Sequence, residues 1–172
     1  MTDYITGNFS NAKILLEEFK LLTFSQATIF NKGFVENYRN CLVNFLDKNH
    51  WFNANIKYRM MIANDKKWNY DLEDLEFTQV VKYESGGFYD WHTDEDIFDT
   101  TLNNHRKLSI VVQLSDASEF TGGGLLFRDG SSPLRMSGDY VIFPSFMEHK
   151  AMPVESGERI VVSSFFYGPK FR

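Results

Sequence analysis

The chain has 172 residues, and its 18 lysines and arginines against 23 aspartates and glutamates give a formal net charge of −5. This acidic balance argues against broad nucleic-acid binding, which depends on basic side chains that neutralise phosphates. The one cysteine, Cys41, excludes an internal disulfide and is expected in the core. No stretch approaches the roughly 20 apolar residues of a membrane helix, and residues 1–10 lack a signal-peptide pattern. We therefore expect a soluble, cytoplasmic protein.

Two helices are predicted near the N-terminus. Apolar side chains recur at helical spacing in two segments, Ile14–Leu22 and Phe34–Leu46. We expect these helices to form a support, about residues 1–52, for a β core that spans about residues 53–172. Since no linker, repeat or low-complexity tract interrupts the chain, residues 1–172 are predicted to form a single domain.

After about Asn53 the sequence changes to short apolar runs separated by glycine, aspartate, serine and proline, which is typical of strands joined by turns. Eight runs are predicted as strands: Ile56–Ile62, Phe77–Tyr83, Phe88–Asp94, Leu108–Leu114, Gly124–Arg128, Tyr140–Phe143, Glu148–Pro153 and Ile160–Tyr167. Asn103–His105 and Asp116–Gly124 are predicted as loops. Two helices followed by eight strands predict an α+β, mainly β fold, closed or double-sheeted, with the helices packed on one outer face.

The most informative pattern is the pair His92 and Asp94 at the end of a predicted strand. Side chains two residues apart in a strand point to the same face, so this segment can aim an imidazole and a carboxylate at one metal ion. A second histidine, His149, follows after several strands, and Arg159 begins the next one. Each residue alone could be an ordinary surface or half-buried side chain. Together, two histidines and one carboxylate are typical of mononuclear iron(II) oxygenases, because they leave coordination positions open.

The segment Tyr83–Asp94, together with His149–Arg159, resembles the 2-oxoglutarate/iron(II)-dependent dioxygenase superfamily, in particular its prolyl 4-hydroxylase-like branch. The resemblance covers about residues 77–167 and includes the strand and turn Gly138–Pro144. It implies a double-stranded β-helix core of the jelly-roll or cupin-like type. It also implies an enzyme that uses Fe(II), 2-oxoglutarate and O2, with ascorbate as a supporting reductant, to hydroxylate an unactivated C–H bond and release succinate and CO2.

The resemblance assigns a role to each matching residue. His92, Asp94 and His149 match the catalytic iron ligands, and Arg159 matches the residue that holds the distal carboxylate of 2-oxoglutarate. Further co-substrate contacts are expected at Tyr83, Ser163 and Gln113, and substrate-pocket residues at Tyr89, Trp91 and Arg128. An apolar cage is predicted from Val111, Leu125, Phe127, Ile142 and Phe165. Thr121–Leu125 lacks the glutamate that many relatives carry there, which leaves the substrate contacts in this stretch open.

The substrate is not fixed by these residues. The branch favours a peptidyl proline or another protein side chain, reached through an entrance formed by the loops Trp91–Leu102 and Asp116–Gly124. A free amino acid or other small metabolite is the alternative substrate. A non-catalytic, cupin-like module that binds a metal or ligand is the alternative of a different class. Arg159 favours the enzyme, because a simple metal site has no need of a cation beside the ion.

Overall fold

The computed structural model describes residues 3–28, 37–95 and 104–171. The elements of its N-terminal part are β1 (Ile5–Asn8), α1 (Ala12–Lys20), β2 (Ser25–Gln26), β3 (Arg39–Asn40), β4 (Leu42–Phe45) and α2 (Trp51–Lys67). The strands that follow are β5 (Asp74–Tyr83), β6 (Phe88–His92), β7 (Asn104–Gln113), β8 (Phe120–Gly122), β9 (Leu125–Phe127), β10 (Asp139–Pro144), β11 (His149–Ala151), β12 (Val154–Gly157) and β13 (Arg159–Pro169). No helix in the described ranges is long and apolar enough to cross a bilayer.

The strands form two main antiparallel sheets. The large sheet has the order β1-β10-β7-β13-β5-β4-β2, and the small sheet has the order β3-β6-β11-β9. A separate pair joins β12 to β8. Strands distant in sequence are neighbours in both sheets, as in a double-stranded β-helix. The predicted mainly β fold with two packed layers is therefore confirmed.

The two faces of the large sheet carry separate hydrophobic clusters, because alternate residues of a strand point to opposite faces. On one face, Val80 and Val162 pack with apolar residues of α1 and α2. On the other face, Val81 and Val161 pack with residues of the small sheet such as Leu125. The helices thus cover the outer face of the large sheet, as predicted, and the space between the two sheets is left for a site.

Helix α1 confirms the first predicted helix. Its buried residues, Ala12, Leu15, Leu16 and Phe19, follow the spacing that places side chains on one helical face. The second predicted helix, Phe34–Leu46, is wrong where the structure describes it, because residues 39–40 and 42–45 form β3 and β4; residues 34–36 lie outside the described residues. Cys41 and Val43 are buried while Leu42 and Asn44 are half-buried, which is the alternation of a strand rather than a helical stripe.

The predicted strand Ile56–Ile62 is also wrong, because these residues lie within α2. The misleading signal was the alternation of apolar Ile56, Tyr58 and Met60, in which Tyr58 is in fact 64% exposed. The side chain of His50 caps the helix by accepting a hydrogen bond from the backbone N–H of Phe52, with Nδ1 3.3 Å away. Both corrections shift the division between helical support and β core, since residues 1–52 also contain β1 to β4.

The other seven predicted strands are confirmed, with changes of a few residues at their ends. Asn104 and His105, predicted as a loop, begin β7 instead, while residue 103 lies outside the described residues. The predicted loop Asp116–Gly124 contains β8, which pairs with β12. The short strands β8 and β12 lack an apolar run of their own, so their pairing was not visible in the sequence.

Replacing Ile56 with alanine should lower the free energy of unfolding by about 2–5 kcal/mol, because Ile56 is fully buried between α2 and the large sheet. The matched control is Tyr58→Ala in the same helix, which should change the free energy by less than about 0.5 kcal/mol because Tyr58 is exposed. Urea unfolding, monitored by circular dichroism, measures the free energy of unfolding of both variants. Equal effects of the two substitutions would contradict the observed orientation of α2.

Candidate active site

Neighbouring strands of the small sheet bring His92, Asp94 and His149 together. His92 ends β6 and His149 begins β11, and the two residues are paired directly across these neighbouring strands. Asp94 follows β6 and its backbone N–H donates to the carbonyl of Ser145 at 2.9 Å. The possible ligand atoms of the three side chains all lie within 4.8 Å of one another. The carboxylate of Asp94 faces both imidazoles, with Oδ1 3.6 Å from Nε2 of His92 and Oδ2 3.5 Å from Nε2 of His149.

Backbone carbonyls orient both imidazoles. Nδ1 of His92 lies 2.7 Å from the carbonyl oxygen of Asp90, and Nδ1 of His149 lies 2.9 Å from that of Met147. A carbonyl oxygen can only accept, so Nδ1 carries the proton in each ring and the lone pair of Nε2 faces the gap between the three residues. Metal-binding histidines are commonly held in this way.

The ionisation states also suit a cation. Burial, followed by the neighbouring His149, lowers the pKa of His92 to about 3, so the imidazole is neutral near pH 7. Burial alone would raise the pKa of Asp94, but the imidazoles of His149 and His92 and the hydroxyl of Ser109 bring it below its usual value. Two Nε2 lone pairs and one carboxylate face a common gap, and this donor set fits a divalent iron ion.

A cavity between the sheets contains this cluster. Its empty volume, the open mouth included, is about 460 Å³. Its polar lining residues are Arg39, Gln79, Tyr83, Tyr89, His92, Asp94, His149, Arg159 and Ser163, and its apolar lining residues are Val81, Val111, Leu125, Ala151, Val161 and Phe165. Seven of the ten residues predicted for the site, including the three predicted metal ligands, therefore share one cavity.

Arg159 is the most unusual lining residue. Its side chain is 1% exposed, and its Nε donates to Oε1 of Gln113 at 3.0 Å. Its Nη2 is buried and has no hydrogen-bond partner among the described residues. Burial lowers the pKa of Arg159 to about 10, an effect that Tyr83 partly opposes. A buried guanidinium with an unpaired N–H group is costly, unless an anion enters the cavity and accepts its hydrogen bonds.

The three other predicted co-substrate contacts differ in their placement. Tyr83 lines the cavity, its ring centroid lies 5.5 Å from the guanidinium of Arg159, and burial raises the pKa of its phenol. Ser163 lines the cavity and accepts a hydrogen bond from Gln79 at 2.8 Å. Gln113 is not among the lining residues, which corrects its predicted role. It accepts from Arg159 and donates to the carbonyl of Ser115, and so it holds the arginine in place.

Of the three predicted substrate-pocket residues, only Tyr89 lines the cavity. Its ring stacks on that of His92, with centroids 3.5 Å apart and an angle of 12° between the planes. Trp91 and Arg128 lie outside the cavity, where the guanidinium is 3.9 Å from the centroid of the indole and donates twice to Glu148. Trp91 is next to His92 and lies outside the cavity, whereas an irregularity in the pairing of β6 with β11 allows Tyr89 and His92, three residues apart, to line the cavity together.

The predicted apolar cage is correct in part. Val111, Leu125 and Phe165 line the cavity, whereas Phe127 and Ile142 do not. Ile142 faces the helices on the other side of the large sheet. The ring of Phe127 packs edge-on against Phe143, at a centroid distance of 5.0 Å. Its centroid also lies 6.0 Å from that of His149, the residue opposite it on β11, so Phe127 packs against this histidine from outside the cavity.

Two polar lining residues were missed in the sequence. Gln79 precedes Tyr83 by four residues on β5, so strand alternation from Tyr83 could have found it. Arg39 was hidden by the wrongly predicted helix. Its guanidinium lies 4.6 Å from the ring centroid of Tyr89, and its Nε donates to Sγ of Cys41 at 3.2 Å.

Comparisons with known proteins agree with this geometry. The chain is 34% identical over 85 residues to a PKHD-type hydroxylase of Synechococcus sp., which covers 48% of this chain and 37% of that protein. It is 35% identical over 92 residues to a PKHD-type hydroxylase of Janthinobacterium sp., which covers 50% and 40%. The chain thus spans about two fifths of the length of these curated relatives.

Solved structures show the same fold. A Pseudomonas putida prolyl-4-hydroxylase superposes with a TM-score of 0.76 at 18% identity, covering 95% of this chain and 92% of that one. The viral collagen prolyl hydroxylase of Paramecium Bursaria Chlorella virus-1, solved with 2OG, gives a TM-score of 0.73 at 20% identity and covers 97% of both chains. The sequence profile of the 2OG-Fe(II) oxygenase superfamily matches residues 78–167, just over half of the chain. The chain therefore belongs to the 2OG-Fe(II) oxygenase superfamily.

Proposed function

We propose that this protein is a 2-oxoglutarate- and Fe(II)-dependent dioxygenase that hydroxylates an unactivated C–H bond of a peptidyl proline or another protein side chain. The observation that carries the proposal is the unpaired Nη2 of buried Arg159, which lines the same cavity as His92, Asp94 and His149. A site that only bound a metal would gain nothing from a second buried cation. A dicarboxylate that reaches from the metal to the guanidinium can bind the metal at one end and accept hydrogen bonds from Arg159 at the other.

His92, Asp94 and His149 would hold the iron, leaving positions open for 2-oxoglutarate and O2. With iron bound, the site would gain the redox chemistry that couples conversion of 2-oxoglutarate to succinate and CO2 with hydroxylation of the substrate. We expect ascorbate to support turnover by keeping the metal reduced.

The chain's own residues would bind and orient the co-substrate and exclude water from the cavity. Arg159 can present two parallel N–H groups to the distal carboxylate, and Gln113 fixes its direction. The phenol of Tyr83, kept neutral by burial, can donate to the same ligand. Val81, Val111 and Phe165 form apolar walls, which strengthen these electrostatic contacts by keeping the cavity dry.

A peptide substrate is supported by the neighbours in fold. One of them is a Trichoplax adhaerens prolyl hydroxylase in complex with a peptide fragment, which superposes with a TM-score of 0.74 at 13% identity and covers 96% of this chain and 83% of that one. Part of the predicted entrance, residues 96–102, lies outside the described residues. The other predicted entrance loop, Asp116–Gly124, contains β8 and leads into β9, whose Leu125 lines the cavity.

The test is release of succinate from 2-oxoglutarate, coupled to mass spectrometry of candidate substrates. We expect turnover to require Fe(II), 2-oxoglutarate and O2, to increase with ascorbate, and to add one oxygen atom to a proline-containing peptide. Metal binding without any turnover or affinity for 2-oxoglutarate would instead support the non-catalytic, cupin-like module.

A second candidate substrate class, free amino acids or related small acids, is favoured by Arg39. This arginine lines the cavity and is held by Cys41, the carbonyl of Thr28 and the ring of Tyr89, but it has no acidic partner among the described residues. Iron(II), Asp94, Arg159 and a dianionic co-substrate together carry no net charge. Arg39 therefore adds one positive charge, which a carboxylate on the substrate can neutralise.

Replacing Arg39 with glutamine should distinguish the two substrate classes. If the substrate carries a free carboxylate beside the reacting carbon, the variant should lose about tenfold or more in kcat/KM for that acid and much less for the corresponding amide. If the substrate is an internal peptide residue, the wild type should prefer blocked peptides over free acids. The measurement is oxygen incorporation into proline, prolinamide and blocked prolyl peptides, with Arg128→Gln outside the cavity as the control.

A further inference from the structure

The hydroxyl of Ser163 is held in an unusual hydrogen-bonding state. Ser163 on β13 lies opposite Gln79 on β5 and opposite Val111 on β7, and all three side chains line the cavity. Nε2 of Gln79 donates to Oγ of Ser163 at 2.8 Å. An amide NH2 group can only donate, so Ser163 must accept this hydrogen bond, and its own proton has to point elsewhere. The neighbour on its other side, Val111, offers no side-chain acceptor.

The opposite face of the same strand pair provides a comparison. There Ser164 accepts a hydrogen bond from Thr78 at 3.0 Å and passes its own proton to the carbonyl of Phe77 at 2.9 Å. That chain of hydrogen bonds ends on a protein acceptor within the core. The chain from Gln79 through Ser163 has no such acceptor among the described residues. It ends in the cavity that also contains the unpaired Nη2 of Arg159.

We propose that Gln79 is a positioning residue, which fixes Ser163 as a hydrogen-bond donor to an oxygen of bound 2-oxoglutarate. The inference rests on the proposed function, since it requires that 2-oxoglutarate occupies the cavity. Gln79 itself need not touch the co-substrate. Its role is to prevent the hydroxyl from turning its proton away from the ligand, so that no reorientation is needed when the anion binds.

The experiment measures 2-oxoglutarate affinity in anaerobic Fe(II)-loaded protein, by titrating the weak visible charge-transfer band of the complex. Ser163→Ala should weaken binding about 2- to 10-fold, as expected for one lost hydrogen bond. Gln79→Met should weaken binding about 2- to 5-fold, because the hydroxyl is then free to rotate. Gln79→Glu should weaken it further, because a carboxylate accepts the Ser163 proton. The double variant Gln79→Met/Ser163→Ala should match Ser163→Ala alone, which is the coupling that a double-mutant cycle detects.

Two further measurements separate positioning from a structural role. Affinity for Fe(II) without 2-oxoglutarate should be unchanged in every variant. The matched control Thr78→Val, which breaks the equivalent chain on the opposite face, should lower the unfolding temperature and leave 2-oxoglutarate affinity within twofold of the wild type. Additive losses in the double variant, or an unaltered affinity in Gln79→Met, would overturn the inference while the proposed function stands. A wild type that binds iron but no 2-oxoglutarate would overturn both.

Discussion

Replacing Arg159 with methionine is expected to weaken 2-oxoglutarate binding by roughly 30- to 4,000-fold, while Fe(II) affinity stays within a few-fold of the wild type. Removing one partner of a buried, hydrogen-bonded charge pair costs about 2–5 kcal/mol, and each 1.4 kcal/mol corresponds to about a factor of ten. The proposed metal ligands are separate residues, on or next to β6 and β11, so their geometry should survive the change. Isothermal titration under anaerobic conditions measures both affinities.

Ligand-induced stabilisation gives a second readout of the same substitution. At a 2-oxoglutarate concentration about 100 times the wild-type dissociation constant, binding should stabilise the wild type by about 2.7 kcal/mol. At about 2–4 °C per kcal/mol for a chain of this size, the melting temperature should rise by about 5–10 °C. A variant with affinity reduced 100-fold gains only about 0.4 kcal/mol, or about 1 °C.

Two other substitutions make this result specific to Arg159. Arg159→Lys keeps the charge but loses the planar pair of donors, so its affinity for 2-oxoglutarate should lie between those of the wild type and Arg159→Met. Arg128→Met is the control, because Arg128 is half exposed and binds Glu148 outside the cavity. Equal losses of iron and 2-oxoglutarate affinity in Arg159→Met would contradict the assignment of this arginine as the anchor of the co-substrate.

Substitution of His92 by alanine should reduce Fe(II) affinity by more than about 100-fold and bring succinate formation to the background. Loss of a residue that merely supports a metal ligand costs about 10- to 100-fold, so loss of a ligand should cost more. The remaining residues, Asp94 and His149, supply only two of the three protein ligands that the site is proposed to provide. Competition with a chromogenic chelator measures the affinity, and far-UV circular dichroism checks that the variant is folded.

The control for His92→Ala is His50→Gln. His50 caps α2 and contacts Glu18 at 2.8 Å, remote from the cavity lining, so this change should lower stability without altering iron affinity. An Fe(II) affinity of His92→Ala equal to that of the wild type would exclude the cluster as the metal site. In that case the short distances between the three side chains would have to be explained by packing alone.

The metal cluster was predictable because its signal is local. His92 is the last residue of β6 and Asp94 follows two residues later, a spacing that points both side chains the same way, and the antiparallel pairing of β11 with β6 brings His149 beside them. The helix α2 was predicted wrongly because its local pattern is ambiguous. Its buried residues Phe52, Ile56 and Met60 are spaced by four, but the exposed apolar residues Tyr58 and Met61 near them in sequence blur the helical period.

Contacts between strands distant in sequence could not be predicted in the same way. The register that sets Gln79 beside Ser163 depends on the pairing of β5 with β13, which no local pattern specifies. Gln113 was expected to contact the co-substrate because the family resemblance places a polar co-substrate contact at this position. Only the structure shows that Gln113 instead accepts a hydrogen bond from Nε of Arg159, at 3.0 Å.

The carbonyl oxygens of Asp90 and Met147 hold the two imidazoles with Nε2 facing Asp94. This fixed orientation has a practical consequence for handling the protein. Such a preassembled donor set does not select iron by affinity, because nickel, copper and zinc bind nitrogen and oxygen donors more tightly in the Irving–Williams series. We expect recombinant preparations to suffer mismetallation, with a metal content that mirrors the growth medium and purification resin. Chelation followed by anaerobic reconstitution with ferrous salt is then a prerequisite for assaying catalysis.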